Sequence, residues 1–92
     1  MKLEEKIRDR RIVYLFRKRP EIAYELAILY YILARRKSSV IKVAEASMKS
    51  IYWLKKVGVM IPEYLEQLSP VGRLEEIERI LVAKRAGLPV GG

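Results

Sequence analysis

The chain has 92 residues, enough for one small domain, and its 51% apolar and 33% charged residues predict a folded protein and exclude a disordered basic tail. It contains no Cys and no His, which excludes disulfides, thiolate nucleophiles, Cys-based metal sites and the commonest general base. The net charge of +8 comes entirely from residues 1–58, where 15 Lys and Arg residues accompany 6 acidic residues.

Strand signals are weak, and the helix signals predict an all-α bundle of four to five helices. The first helix is predicted over about residues 2–18. Its apolar residues fall on two nearly opposite sides, with Leu3, Ile7 and Tyr14 on one side and Ile12, Val13 and Phe16 on the other. Either both sides are buried or the helix breaks near Asp9, and the run 12–16 could instead form a short strand.

The second helix is predicted over about residues 20–36 and is the expected buried centre of the bundle. Pro20 and Glu21 suit a helix start, and the basic residues 35–37 suit a helix end because they complement the helix dipole. Between these ends Glu25 is the only charged residue. A helix that is apolar all round is normally buried on most sides, so we expect the other helices to pack around it.

A third helix is predicted over about residues 40–57, capped by Ser38 or Ser39 and ended by Gly58. Its predicted buried stripe consists of Val40, Ala44, Met48, Ile51 and Leu54. The stripe indicates one unbroken helix, which disfavours a helix-turn-helix DNA reader at this place. A turn near residues 47–48 would also lack the usual small residue.

Two further helices are predicted, a short one over about residues 63–68 and a last one over about residues 71–86 with Ser69 as its cap. The apolar seam of the last helix consists of Leu74, Ile77 and Leu81. This seam either closes the bundle or pairs with a second copy of the chain. Residues 1–86 are expected to form a single helical domain and residues 87–92 a flexible tail.

Three groups of basic residues are candidate contacts for a polyanion. Residues 8–19 hold six cations with Asp9 as the only acid among them, and we call this group the arginine cluster. The basic turn, residues 35–37, joins the second and third helices. The lysine row consists of Lys42, Lys49 and Lys56, which are spaced by seven and therefore share one helix face over roughly 21 Å. Guanidinium and ammonium groups in such numbers suit phosphates.

Aromatic residues border the lysine row, and an exposed ring there could stack on a base. The alternative is an ordinary solvated face, because Glu45 lies in the same stripe and can pair with Lys42 or Lys49. The predicted phosphate contacts are Arg8, Arg11, Arg17, Lys18, Arg19, Arg35, Arg36, Lys37, Lys42, Lys49 and Lys56, and the predicted stacking residues are Tyr52 and Trp53.

The sequence therefore predicts a small basic protein that binds DNA or RNA mainly through phosphate contacts. The alternative is a helical assembly or adaptor subunit whose basic half docks on an acidic protein partner. A homodimer or a larger complex is compatible with so small a domain. We expect no enzyme, cofactor or metal site, because Ser39 and Lys42 form only an isolated Ser-x-x-Lys pattern and the acidic residues 75–78 lack His partners.

Composition also bears on origin and location. The absence of Thr and Asn, together with many Glu, Lys and Arg residues, is typical of hyperthermophile proteins. The N-terminus shows no signal-peptide pattern, and the longest apolar stretch, residues 22–34, is too short to span a bilayer. We therefore expect a soluble, cytoplasmic protein without a membrane partner.

Overall fold

Five helices pack around one apolar core in the computed structural model, which describes residues 2–87. The helices are α1 (Leu3–Arg17), α2 (Pro20–Arg36), α3 (Val40–Lys56), α4 (Tyr64–Gln67) and α5 (Pro70–Arg85). Residues 2–87 contain no strand, so the predicted all-α bundle is confirmed. None of the helices in this part of the chain is long and apolar enough to cross a membrane. Residues 88–92 of the predicted tail lie outside the described residues.

Local sequence signals set several helix boundaries. Pro20 and Pro70 occupy the first turns of α2 and α5, where a missing N–H costs no hydrogen bond. The Ser69 hydroxyl caps α5 by accepting the Gly72 N–H at 3.2 Å. Gly58 ends α3 with φ +94°, a left-handed conformation that favours glycine. Each helix therefore begins and ends within one residue of its predicted position.

The centre of the bundle is α2, as predicted, because α1, α3 and α5 all pack against it. Its buried residues are Ala23, Leu26, Ala27, Leu29, Tyr30 and Ala34. The hydroxyl of Ser50 in α3 donates a 2.7 Å hydrogen bond to the Ala27 carbonyl, which requires the two helices to approach closely. Small side chains on both helices permit this approach.

The buried face of α3 differs from the predicted stripe. Ile51 and Leu54 are buried as expected, but Val40 is 69% exposed and Met48 is 37% exposed. Small residues share the buried face, namely Ala46, Ser47 and Ser50. The predicted stripe was wrong at two positions because it followed side-chain bulk, whereas close packing selects small residues.

The conformation of α1 corrects both expectations for the first helix. It is unbroken from Leu3 to Arg17, and residues 12–16 are helical rather than extended. Only one of its apolar sides enters the core, where Ile7 is buried and Tyr14 is partly buried. The second side carries large apolar residues into solvent, including Phe16, which is 84% exposed.

The apolar seam of α5 closes the bundle. Ile77 and Leu81 are buried, and Leu74 packs against the same core. The adjacent Ile80 is also buried, and the Leu81 carbonyl accepts a 3.0 Å hydrogen bond from the Tyr24 hydroxyl of α2. The seam is therefore used within the chain.

One cation of α5, Arg73, lies in the core. Its guanidinium donates to the carbonyls of Leu65 at 3.1 Å, Glu66 at 2.9 Å and Leu68 at 3.3 Å. It also donates to the Ser47 hydroxyl of α3 at 3.0 Å. These acceptors replace the water that the cation loses and connect α5 to α3 and α4.

Candidate nucleic-acid interface

A groove of about 510 Å³ opens between α1 and α3, and we call it the α1–α3 groove. Its lining residues are Arg8, Arg11, Ile12 and Leu15 from α1, Tyr30 from α2, and Lys49, Tyr52 and Trp53 from α3. The groove therefore brings part of the arginine cluster to the same surface as part of the lysine row.

A second groove, of about 260 Å³, adjoins the first, and we call it the lysine groove. Its charged lining residues are Lys37, Lys42, Lys49, Glu4 and Glu45. Lys49 and Tyr30 line both grooves, so the two grooves are contiguous. The Lys49 Nζ lies 5.8 Å from the centroid of the Tyr30 ring, a cation–π contact at the junction.

Residues from all three basic groups share this surface. Arg8 and Arg11 belong to the arginine cluster, Lys37 to the basic turn, and Lys42 and Lys49 to the lysine row. These five cations are separated by up to 41 positions in the sequence and meet because α1 and α3 both pack on α2. We call them the groove cations.

Most groove cations are available to a ligand. Among residues 2–87, no carboxylate oxygen lies within 4.0 Å of the charged nitrogens of Arg8, Arg11, Lys42 or Lys49. The alternative pairing of Glu45 with the lysine row is thus not formed in this part of the chain. Lys37 does pair with a carboxylate, that of Glu4, at 3.3 Å.

The remaining predicted phosphate contacts do not line either groove. One of them, Lys56, lies close to the α1–α3 groove because it contacts Tyr52, a lining residue of that groove. Arg17, Lys18 and Arg19 are exposed where α1 connects to α2. Arg36 lines a separate cavity at the start of α1 together with Lys2.

Arg35 is directed towards α5 rather than towards the grooves. Its guanidinium donates a 2.9 Å hydrogen bond to the Tyr31 hydroxyl and lies 3.8 Å from the Glu78 carboxylate. The Tyr31 contact, with a smaller contribution from Glu78, raises the pKa of Arg35 above its ordinary value. Arg35 therefore stays charged, but its charge is partly used within the protein.

Arg10, also in the arginine cluster, is paired with carboxylates within the protein. Its guanidinium lies 3.1 Å from the Asp9 carboxylate and 3.7 Å from that of Glu25. Its buried Nε has no hydrogen-bond partner among the described residues. The cluster is thus divided between inward and outward cations, since successive helical positions point in different directions.

The two predicted stacking residues have different environments. Tyr52 is 52% exposed, whereas Trp53 is only 9% exposed. The Trp53 ring packs edge to face with Tyr14, with centroids 5.0 Å apart, and with Tyr52, with centroids 5.1 Å apart. The Lys56 Nζ lies 5.3 Å from the Tyr52 centroid. Trp53 therefore supports the groove from the core side, and Tyr52 is the more accessible ring.

Sequence reasoning missed the apolar lining of the groove, although the sequence held a signal for it. Arg8, Arg11, Ile12 and Leu15 are spaced as i, i+3, i+4 and i+7, which places them on one helix face. Neither the pattern of cations alone nor the pattern of apolar residues alone reveals this mixed face.

The unbroken course of α3 excludes a helix-turn-helix within it, because no turn interrupts residues 47–48. Ser39 occupies the N-cap position of α3, but its side chain accepts no capping hydrogen bond.

No protein-family model, curated protein or solved structure matches the chain.

Proposed function

We propose that the protein binds nucleic acid through the surface formed by the α1–α3 groove and the lysine groove. The observation that carries this proposal is the meeting of the five groove cations, drawn from three separate basic groups, on two contiguous grooves. Four of these cations have no carboxylate within 4.0 Å among residues 2–87, so their charge is not neutralised by the protein itself.

Phosphate binding on such a surface gives a quantitative expectation. Each phosphate neutralised by a cation releases condensed counterions, which lowers log K by about 0.7 for a single strand or about 0.9 for a duplex per unit of log salt. If all five groove cations contact phosphates, the slope should lie between about −3.5 and −4.5. A measured slope of this size would agree with phosphate contacts by all five groove cations.

The triple variant Arg8→Ala, Arg11→Ala and Lys49→Ala tests the surface directly. We expect its affinity for nucleic acid to fall at least tenfold and its salt slope to become shallower by about 2 to 3, because each phosphate contact contributes about one unit. Fluorescence anisotropy with labelled DNA and RNA, measured at several salt concentrations, gives both quantities. Circular dichroism checks that the variant remains folded.

A matched control removes the same charge elsewhere on the protein. The variant Arg79→Ala, Lys84→Ala and Arg85→Ala also loses three cations, all exposed on α5. We expect its affinity to fall much less than that of the groove variant. Equal losses in the two variants would mean that only net charge matters, and a flat salt titration or no binding at low salt would refute the proposal.

A second candidate function is an adaptor that docks on an acidic protein. The observation that favours it is the exposed apolar side of α1, where Ile12, Leu15 and Phe16 are 49%, 69% and 84% exposed. An amphipathic acidic helix could cover these side chains while its carboxylates pair with the neighbouring arginines.

Substitution of the exposed apolar residues separates this candidate from the first. Leu15→Ser with Phe16→Ser should abolish capture of a protein partner from nuclease-treated extract, because the apolar contact is removed while every cation is kept. The same experiment with the groove variant shows whether charge contributes. If neither variant changes the captured proteins, the adaptor candidate is excluded at this surface.

A further inference from the structure

We infer that the α1–α3 groove selects single-stranded over double-stranded nucleic acid, by holding an unstacked base against Tyr52 while Arg8, Arg11 and Lys49 bind the flanking phosphates. This inference rests on the proposed function and adds the class of nucleic acid. It follows from the chemical composition of the groove rather than from its charge alone.

The lining of the groove combines two kinds of side chain. Three cations provide charge, while Ile12, Leu15 and Tyr52 provide exposed apolar surface between them. Phosphates bind the cations but form no favourable contact with the apolar side chains. A ligand that satisfies the whole groove must therefore present negative charge and flat apolar surface within the same few ångströms.

A single strand presents both surfaces, and a duplex does not. In a duplex the base faces are stacked inside the helix, so a protein surface meets phosphates, sugars and base edges. In a single strand the bases can turn out and stack on aromatic side chains beside the phosphates. Of these two forms of nucleic acid, the single strand is therefore the one that can cover the exposed apolar residues of the groove.

A second copy of the chain fits the groove less well. A two-fold contact between identical grooves would place the Arg8, Arg11 and Lys49 side chains of one copy against those of the other. Like charges brought together in this way repel each other. The charge of the groove therefore favours a polyanion over self-association.

Tyr52 is already held in place for stacking. Its ring packs edge to face on Trp53, and Trp53 is fixed in turn by Tyr14 of α1, with interplanar angles of 87° and 83°. An aromatic ring that is held before binding loses little conformational freedom when a base stacks on it. The buried Trp53 thus acts as a positioning residue for the exposed Tyr52.

The test compares three ligands of the same length, about 12 nucleotides, which lies within the range of known single-strand sites. They are an oligo-dT strand, an abasic strand with the same number of phosphates, and a duplex. We expect the oligo-dT strand to bind roughly 5- to 150-fold more tightly than the abasic strand, the range given by one stacked base. An oligo-U strand tests whether RNA behaves in the same way.

Variants of tyrosine assign the effect to the groove. Tyr52→Ala should remove most of the difference between the oligo-dT and abasic strands, whereas Tyr52→Phe should keep it because the ring is retained. Tyr64→Ala is the matched control, since Tyr64 is similarly exposed at 49% but does not line the groove. Leu15→Ser should also reduce the preference for bases, because it removes apolar surface from the groove.

The outcomes distinguish this inference from the proposed function. Equal binding of oligo-dT, abasic strand and duplex would overturn the inference and leave phosphate binding standing. Equal competition by poly-glutamate at the same charge would also overturn it, because charge alone would then explain binding. Absence of binding to every nucleic acid at low salt would overturn both.

Discussion

The buried guanidinium of Arg73 exchanges its water shell for four protein oxygens. Three of them are carbonyls at the end of α4 and the fourth is the Ser47 hydroxyl. No carboxylate lies within 4.0 Å of it among residues 2–87. Burial of an unsatisfied cation costs several kcal/mol, so its presence in the core depends on all four acceptors. The short helix α4 depends on Arg73 in turn.

Replacing Arg73 by Met should destabilise the fold by about 3 kcal/mol, because the acceptors lose their donor while the apolar part of the side chain is roughly kept. For a domain of this size, such a loss lowers the Tm by roughly 12 to 24 °C. Thermal and urea unfolding followed by circular dichroism measure the change.

The matched control for Arg73 is Arg79→Met on the same helix. Arg79 is exposed and forms a 2.6 Å ion pair with Glu76, which solvent screens. We expect its Tm to remain close to that of the unchanged protein. Similar midpoints for Arg73→Met and Arg79→Met would show that the buried network contributes little.

At the scale of whole helices, the contact between α2 and α3 is the most extensive in the bundle. Its closeness is set by small residues, and Ala27 illustrates this because it is fully buried and its carbonyl accepts the 2.7 Å hydrogen bond of Ser50. Both grooves depend on this contact, since Tyr30 of α2 and Lys49 of α3 line each of them. Packing between helices therefore positions the candidate site.

A larger side chain at Ala27 should separate α2 from α3. We expect Ala27→Leu to destabilise the protein by about 1 to 3 kcal/mol through overpacking, and to weaken nucleic-acid binding because the groove walls move. Ala86→Leu, at an exposed position, is the control and should change neither property. Unfolding midpoints and anisotropy titrations measure the two effects. An unchanged midpoint for Ala27→Leu would mean that the interface can expand without cost.

The sequence predicts features that depend on neighbouring residues better than features that depend on contacts between distant residues. Helix boundaries were predicted well because Pro20, Gly58 and Ser69 act on their immediate neighbours. The predicted buried face of α3 was partly wrong, because Val40 is apolar by sequence but is 69% exposed in the fold. Which apolar residues are covered depends on the arrangement of the helices, and the sequence pattern of a single helix does not contain it.

In the candidate site, too, the sequence predicted the residue types but not the contacts between distant residues. The sequence identified the three basic groups but could not tell which of their members meet. Arg11 and Lys49 line one groove although 38 positions separate them. Arg35 belongs to the basic turn, as Lys37 does, but it lies towards Glu78 of α5. Trp53 and Tyr52 are adjacent in sequence, yet one is buried and the other exposed. Helical geometry and tertiary packing decide these outcomes.

At the scale of the whole molecule, the absence of His bears on how binding depends on pH. The chain has no His, and its titratable groups are carboxyls, tyrosines, lysines, arginines and the chain termini. Carboxyl side chains as a class ordinarily titrate near about pH 4, and tyrosine and lysine near about pH 10, so without His no side-chain type of this chain has an ordinary pKa near neutrality. Electrostatic attraction to nucleic acid should therefore respond to salt and hardly to pH.

We accordingly expect the affinity for nucleic acid to vary by less than about twofold between roughly pH 6 and 9 at constant ionic strength. Anisotropy titrations in buffers matched for ionic strength measure this profile. A bell-shaped or sigmoidal change within pH 6 to 9 would contradict binding by permanently charged groups, since it would require a titrating group in the grooves. A flat profile together with a steep salt dependence is the combination that the groove cations predict.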